Sequence, residues 1–195
     1  MTSNNVENTD ATLYRAIIEA DGDPVAQPRA KAFSKVVGGR AITRMYTPCG
    51  ADGWKSRVWA ACREKAPQAP IDAPVGVVIE LWFERPKRLL GKSSPRGPVW
   101  CGAKPDIDNA EKAVLDAMSE AGIWTDDSRV SALATLKRYL AIELGGSYRG
   151  LAGARIHVLE MESPCFSPEP DFLEMLKRAA GNSEGCLSWH ERRHK

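Results

Sequence analysis

The stretch KPDIDNAEKAVLDAMSEAGIWTDDSRV, residues 104–130, gathers the side chains best suited to chemistry. Asp106 and Asp108 stand two apart at the start of a helical pattern, and Asp126 and Asp127 follow behind Trp124. In extended backbone, residues i and i+2 project to the same side, so both carboxylates of the first pair can face one point. Hard divalent cations take oxygen ligands, and Mg²⁺ typically uses one or two carboxylates with water and a substrate phosphate. Asp126 or Asp127 supplies a third carboxylate if the helix brings the chain back, with Ile123 and Trp124 anchoring that return by packing. Lys112 lies four residues after Asp108 on the same helical face, placed to meet a phosphate or developing negative charge. Carboxylates holding a divalent cation beside a lysine are hardware for hydrolysing a phosphodiester: the metal activates water and offsets charge on the attacking and leaving oxygens. The same residues also have a structural reading. Asp108 is placed as an N-cap with Glu111 closing a capping box, and Asp106, Asp126 and Asp127 are common turn formers. One oxygen of Asp108 can cap while the other ligates, so both readings stay open.

Charge is segregated along the chain, although the formal net charge is only +2. Residues 1–23 are net −4, residues 28–65 net +7, residues 85–104 net +6 and residues 105–128 net −6. Acids packed in one place repel, so a cation or neighbouring bases must compensate them. Basic segments beside such a cluster suit a polyanionic substrate such as nucleic acid, with Arg29, Lys31, Arg40, Arg44 and Lys104 placed to track phosphates. Either basic run taken alone is also compatible with a solvated face.

The elements that must carry these residues read as follows. Residues 11–20 alternate as a strand. Residues 34–48 form a hairpin about Gly38-Gly39 or a basic loop. Residues 50–66 read as a helix with Trp54, Val58, Ala61 and Cys62 on one face. Residues 75–84 are the clearest strand, apolar on both faces. Residues 85–103, with three prolines and three glycines, read as a long basic loop. Residues 108–122 form an amphipathic helix stopped at Gly122. Residues 128–144 and 154–162 read as strands, and the tail carries a short amphipathic helix at 171–181. Such an order predicts an α/β or α+β domain, a mixed sheet with helices packed on it. It spans residues 11–162, between a disordered 1–10 and a partly disordered tail at 163–195.

Residues Lys104, Asp106, Asp108, Asn109, Lys112, Asp116, Ala117, Trp124, Asp126, Asp127 and Val130 together resemble the signature of the RusA family of Holliday junction resolvases. Pro24, Pro28 and Arg29, and then Tyr46-Thr47-Pro48, are similar to its earlier segments. The resemblance runs from about Ala11 to Glu162. It implies a homodimer that makes paired nicks across a four-way DNA junction. It further implies a Mg²⁺-dependent site at Asp106, Asp108 and Asp127, with Mn²⁺ a possible substitute, a required Lys112, and a less defined role for Asp126. Departures are Ala110 where a leucine is usual, Gln27 where a base is common, and a longer 85–103 loop.

Other signals carry less. Cys186, His190 and His194 have a spacing that Zn²⁺ accepts, but only Cys165 is near as a fourth ligand, and a solvated tail explains them. His157 reads as a surface or edge residue. Trp100 in the basic loop either stacks on an unpaired base or anchors its loop. Five scattered cysteines fit reduced thiols in a cytoplasm. No apolar run approaches membrane length, and the polar, acidic opening is unlike a secretory leader. Two further classes remain: a branched-DNA-binding protein without catalysis, and a nucleotide-sugar transferase, in which D-x-D also holds a metal-diphosphate.

Overall fold

Strand alternation and helical periodicity are realised in a computed structural model that describes residues 13–28, 30–38, 40–46, 50–142, 148–161 and 170–181. In chain order the elements are β1 (Arg15–Asp21), β2 (Lys31–Val37), β3 (Arg40–Tyr46), α1 (Asp52–Lys65), β4 (Val75–Phe83) and β5 (Val99–Trp100). Then follow α2 (Ile107–Glu120), β6 (Val130–Tyr139), β7 (Ala141–Ile142), β8 (Tyr148–Arg149), β9 (Gly153–Glu160) and α3 (Pro170–Gly181). The main sheet has the order β1-β9-β4-β6-β5. Among the described residues of this sheet, β4 and β6 pair in parallel and the other neighbours are antiparallel. The fold is α+β with a mixed sheet, as the element order predicts.

β4 lies mid-sheet and is buried along its whole length, which explains why it is apolar on both faces. Val75, Val77, Ile79, Leu81 and Phe83 enter a core with Trp54, Val58 and Cys62 of α1 and Ala110, Ala113, Val114, Ala117 and Met118 of α2. On the opposite face Val78 packs with Leu159 and with Phe172 of α3. Gly76 is required there, because a Cβ would lie 2.7 Å from the Phe172 ring. At Gly153 a Cβ would lie 2.3 Å from the Ala20 carbonyl oxygen across the β1–β9 ladder. The tail helix is thus part of the sheet's second layer.

Three expectations are corrected here. The 85–103 segment is more than loop: it contains a 3-10 turn at Lys87–Leu89 and the edge strand β5. Arg85, counted with the basic run, is buried. Its guanidinium donates to the carbonyls of Leu140 (2.7 Å), Pro95 (2.6 Å) and Gly97, tying the loop to the sheet. His157 is buried, because β9 runs between β1 and β4. Its Nε2 lies 3.2 Å from Glu80 Oε1, and Arg138 stands 3.6 Å from the same carboxylate.

Candidate active site and nucleic-acid interface

α2 begins at a different residue from the one its sequence marks. Asp106 is the N-cap, with extended backbone (φ −65°, ψ 142°) and no capping hydrogen bond from its side chain. Asp108 already lies in the first turn, so the pair straddles the boundary between strand-like and helical backbone. The capping box is absent. Glu111 instead accepts a hydrogen bond from Thr135 Oγ1 of β6, which ties the helix to the sheet. Both aspartates are exposed at the helix N-terminus, where the macrodipole favours negative charge.

The segment that delivers them is fixed by Lys137, a residue the sequence does not single out. From β6 its Nζ donates to the carbonyl oxygens of Ala103 (2.7 Å) and Pro105, immediately before Asp106. The backbone adds Cys101 N–H to Lys137 O (3.0 Å) and Gln27 N–H to Asn109 O (2.8 Å). No sequence pattern reveals Lys137, because on an alternating strand a lysine reads as a solvent-facing residue.

Past the helix, Gly122 at φ +78° turns the chain. Ile123 and Trp124 are buried as expected, and Trp124 Nε1 donates to Ser119 Oγ at 2.8 Å. Residues Ile123 and Thr125 pair with Ile71, and Asp72 accepts from Thr125 Oγ1 (2.8 Å) and pairs with Arg129 (2.9 Å). These contacts brace the 3-10 turn Asp127–Arg129, which touches α2. Asp126 caps that turn, its Oδ1 accepting from Ser128 N–H at 2.9 Å. The Ser128 hydroxyl first, and then this backbone bond, hold its carboxyl below the usual range. Asp127 is exposed at the first position of the turn.

The structure brings together Asp106 with Asp108, and Asp126 with Asp127. α2 spans about 21 Å at 1.5 Å per residue, and Asp127 follows its far end. Among the described residues no three His, Cys, Asp or Glu side chains come close enough to share one metal ion. Lys112 Nζ lies 3.1 Å from Asp116 Oδ1, one turn along. An exposed i,i+4 pair of this kind is worth roughly 0.3–0.5 kcal/mol, less than a charge-assisted bond to a phosphate, so its ammonium is readily exchanged.

The basic residues divide between two places. Lys31, Arg40 and Arg44 are exposed on the β2–β3 hairpin, whose strands, among the described residues, pair only with each other. Lys104 is exposed two residues before Asp106. Arg29 lies outside the described residues, as do Cys165, Cys186, His190 and His194. Trp100 holds the Arg138 guanidinium at 4.7 Å from its ring centre, with Trp82 at 5.5 Å; this favours the anchoring role.

Residues 21–143, which include both aspartate pairs, Lys112 and the hairpin, match the protein family described as Endodeoxyribonuclease RusA. The chain belongs to the RusA family. It is also similar to a protein of Bacillus subtilis (strain 168) described as uncharacterized protein YqaN, 28% identical over 123 residues that cover 60% of this chain and 83% of that one. RusA family membership makes DNA the substrate class and phosphodiester cleavage the reaction class, and nucleases of the family generally depend on divalent metal. Among the described residues no helix is long and apolar enough to cross a membrane.

Proposed function

We propose that the chain is a Mg²⁺-dependent endonuclease that resolves four-way DNA junctions by paired nicks, acting as a homodimer in the bacterial cytoplasm. The observation that carries this is the placing of Asp106 and Asp108. Two exposed carboxylates open α2 on a clamped segment, inside the span that matches a deoxyribonuclease family.

Their chemistry fits a hard cation: the donors are all carboxylate oxygens, and Mg²⁺ needs only one or two of them beside water and phosphate. Asp106 and Asp108 would hold it. Asp127, which the same reading assigns as a third ligand, is not gathered with them in this structure, and Asp126 serves its turn. The bound cation would supply activation of water and offset of charge at the reacting phosphate. Lys112, exposed on the first turns of α2, meets negative charge on that phosphate once it leaves Asp116. Lys104 sits beside the site, and Lys31, Arg40 and Arg44 neutralise phosphates farther along the DNA. Mn²⁺, with similar ligand preferences, is the expected substitute.

The test is cleavage of an end-labelled synthetic four-way junction with Mg²⁺, beside the matching linear duplex, for the native protein and Asp106→Asn. Symmetric nicks in the junction alone, lost in the variant, are expected. Junction binding without nicking in either Mg²⁺ or Mn²⁺ refutes the nuclease and leaves a binding protein.

A further inference from the structure

The β2–β3 hairpin has a sorting of side chains that phosphate contact alone does not require. Its antiparallel register pairs Phe33 with Arg44, Lys35 with Ile42 and Val37 with Arg40, and in the alternate positions Ala32 with Met45, Ser34 with Thr43 and Val36 with Ala41. Opposed residues share a face and successive residues alternate between faces. All four cations of the hairpin, Lys31, Lys35, Arg40 and Arg44, therefore lie on one face with Phe33, Val37 and Ile42. The other face carries no charge, and there Ser34 and Thr43 hydroxyls bond to each other at 2.8 Å. No acid occurs between residues 30 and 46. Phe33 is 59% exposed, flanked along its strand by Lys31 and Lys35 and across it by Arg44.

The composition of this face selects among modes of nucleic-acid contact. Reading base edges in a groove takes amide, carboxylate or guanidinium groups aimed at the bases. The charged face carries guanidinium groups in Arg40 and Arg44 but no Asn, Gln, Asp or Glu, and each arginine stands directly across the strands from an apolar side chain, Val37 or Phe33. Cations interleaved with an exposed aromatic ring suit a strand whose phosphates are neutralised while an unpaired base stacks on the ring. An exposed two-stranded hairpin gains little stability alone in water, so a ligand that covers the ring and aliphatic groups also stabilises the arm.

We infer that this face reads the branch itself: Phe33 stacks on a base left unpaired where duplex arms meet, while Lys31, Lys35, Arg40 and Arg44 hold the flanking phosphates. The inference rests on the nuclease reading for its choice of DNA, but the experiment separates the two. Binding is measured in EDTA, where no cleavage occurs, with full-length protein. The probes are a four-way junction carrying 2-aminopurine at the branch and a linear duplex carrying it at an internal paired position. Phe33→Ala is expected to weaken junction binding about tenfold, from the stacking of one base, and to abolish the 2-aminopurine quenching. Linear duplex affinity should stay within about twofold. Phe33→Trp restores both junction signals, and Phe33→Leu restores neither. Arg44→Ala weakens both DNAs and lowers the salt dependence of each by about one ion. Equal loss on both DNAs for Phe33→Ala, or unchanged junction binding, overturns the inference. So does a change in mass by light scattering without DNA, which would assign the face to a second copy of the chain. Native protein that quenches the junction probe but never nicks it with Mg²⁺ would sink the nuclease and leave the arm's role standing.

Discussion

Lys137→Met tests whether the strand-borne ammonium sets the position of the aspartate pair. Methionine keeps most of the stem and the apolar packing beside Phe83, over whose ring the ammonium lies at 5.9 Å. It removes both bonds to the Ala103 and Pro105 carbonyls. A hydrogen bond with a charged partner contributes about 1.5–3 kcal/mol when sheltered. The Ala103 carbonyl is exposed and can take water instead, so only the bond to Pro105 retains most of that value. A total loss of about 2 kcal/mol is expected, which lowers the melting temperature by roughly 4–8 °C for a chain of this size. Urea unfolding measures this. Single-turnover junction cleavage should fall by about tenfold to a hundredfold, because a 1 Å misplacement of a reacting group has that effect. Junction affinity in EDTA should hold within about twofold, since the ammonium is engaged by the Ala103 and Pro105 carbonyls. Lys137→Gln, which keeps an N–H donor, falls between. Cleavage at the native rate despite a lowered urea midpoint would refute the positioning role. Equal losses of affinity and cleavage would assign Lys137 to a phosphate instead.

Two more outcomes follow from buried groups. Glu80→Ala leaves the Arg138 guanidinium and His157 facing each other without their shared carboxylate, and is expected to cost about 3 kcal/mol in urea unfolding. Glu80→Gln, which keeps the shape and one acceptor, costs less. Burial pushes the Cys62 thiol up to about 12. The folded state then binds its proton more tightly than the unfolded chain, whose thiols ionise near 8.5. The contribution is intact below that value and is lost progressively as pH rises toward 12. Native protein should leave Cys62 unlabelled by iodoacetamide at pH 8, whereas urea-unfolded protein labels it fully. A Cys62→Ala variant whose melting temperature falls as steeply between pH 9 and 11 as the native protein's would show that other groups carry the alkaline loss.

What the sequence disclosed depended on whether a residue's neighbours were close in the chain. β4, α1 and α2 follow from period and composition, because each buries one stripe or two faces of its own residues. The hairpin was readable as one of two options: Gly38, at φ +57°, favours the turn, but nothing local says the strands join no larger sheet. Arg85, His157 and Lys137 were not legible. Each acquires its role from partners on other elements, Leu140 and Pro95 for Arg85, Glu80 for His157, Ala103 and Pro105 for Lys137. A charged side chain in a one-dimensional pattern reads as exposed; only the sheet order reveals that a distant carbonyl or carboxylate awaits it. The sequence pattern marks the start of α2 two residues late for a related reason. The sequence offers two aspartates of equal capping propensity, and the choice between them falls to the clamp on the preceding loop.

The acidic cluster itself is sorted by its partners. Glu111 is engaged by Thr135, Asp116 by Lys112, Glu120 by Lys55 at 2.9 Å, and Asp126 by the Ser128 backbone. These four acids are accounted for by holding α2 and its following turn in place. Asp106 differs: it occupies the N-cap, where a side-chain bond typically contributes about 1 kcal/mol, and its side chain makes no such bond. A carboxylate that leaves that stabilisation unused has its geometry set by something other than the helix. Asp106→Asn should therefore leave the urea midpoint unchanged or slightly raised, because asparagine caps at least as well, while junction cleavage falls at least a hundredfold. A loss of more than about 1 kcal/mol in stability would show instead that Asp106 serves the fold, and the loss of cleavage could no longer be read as chemistry.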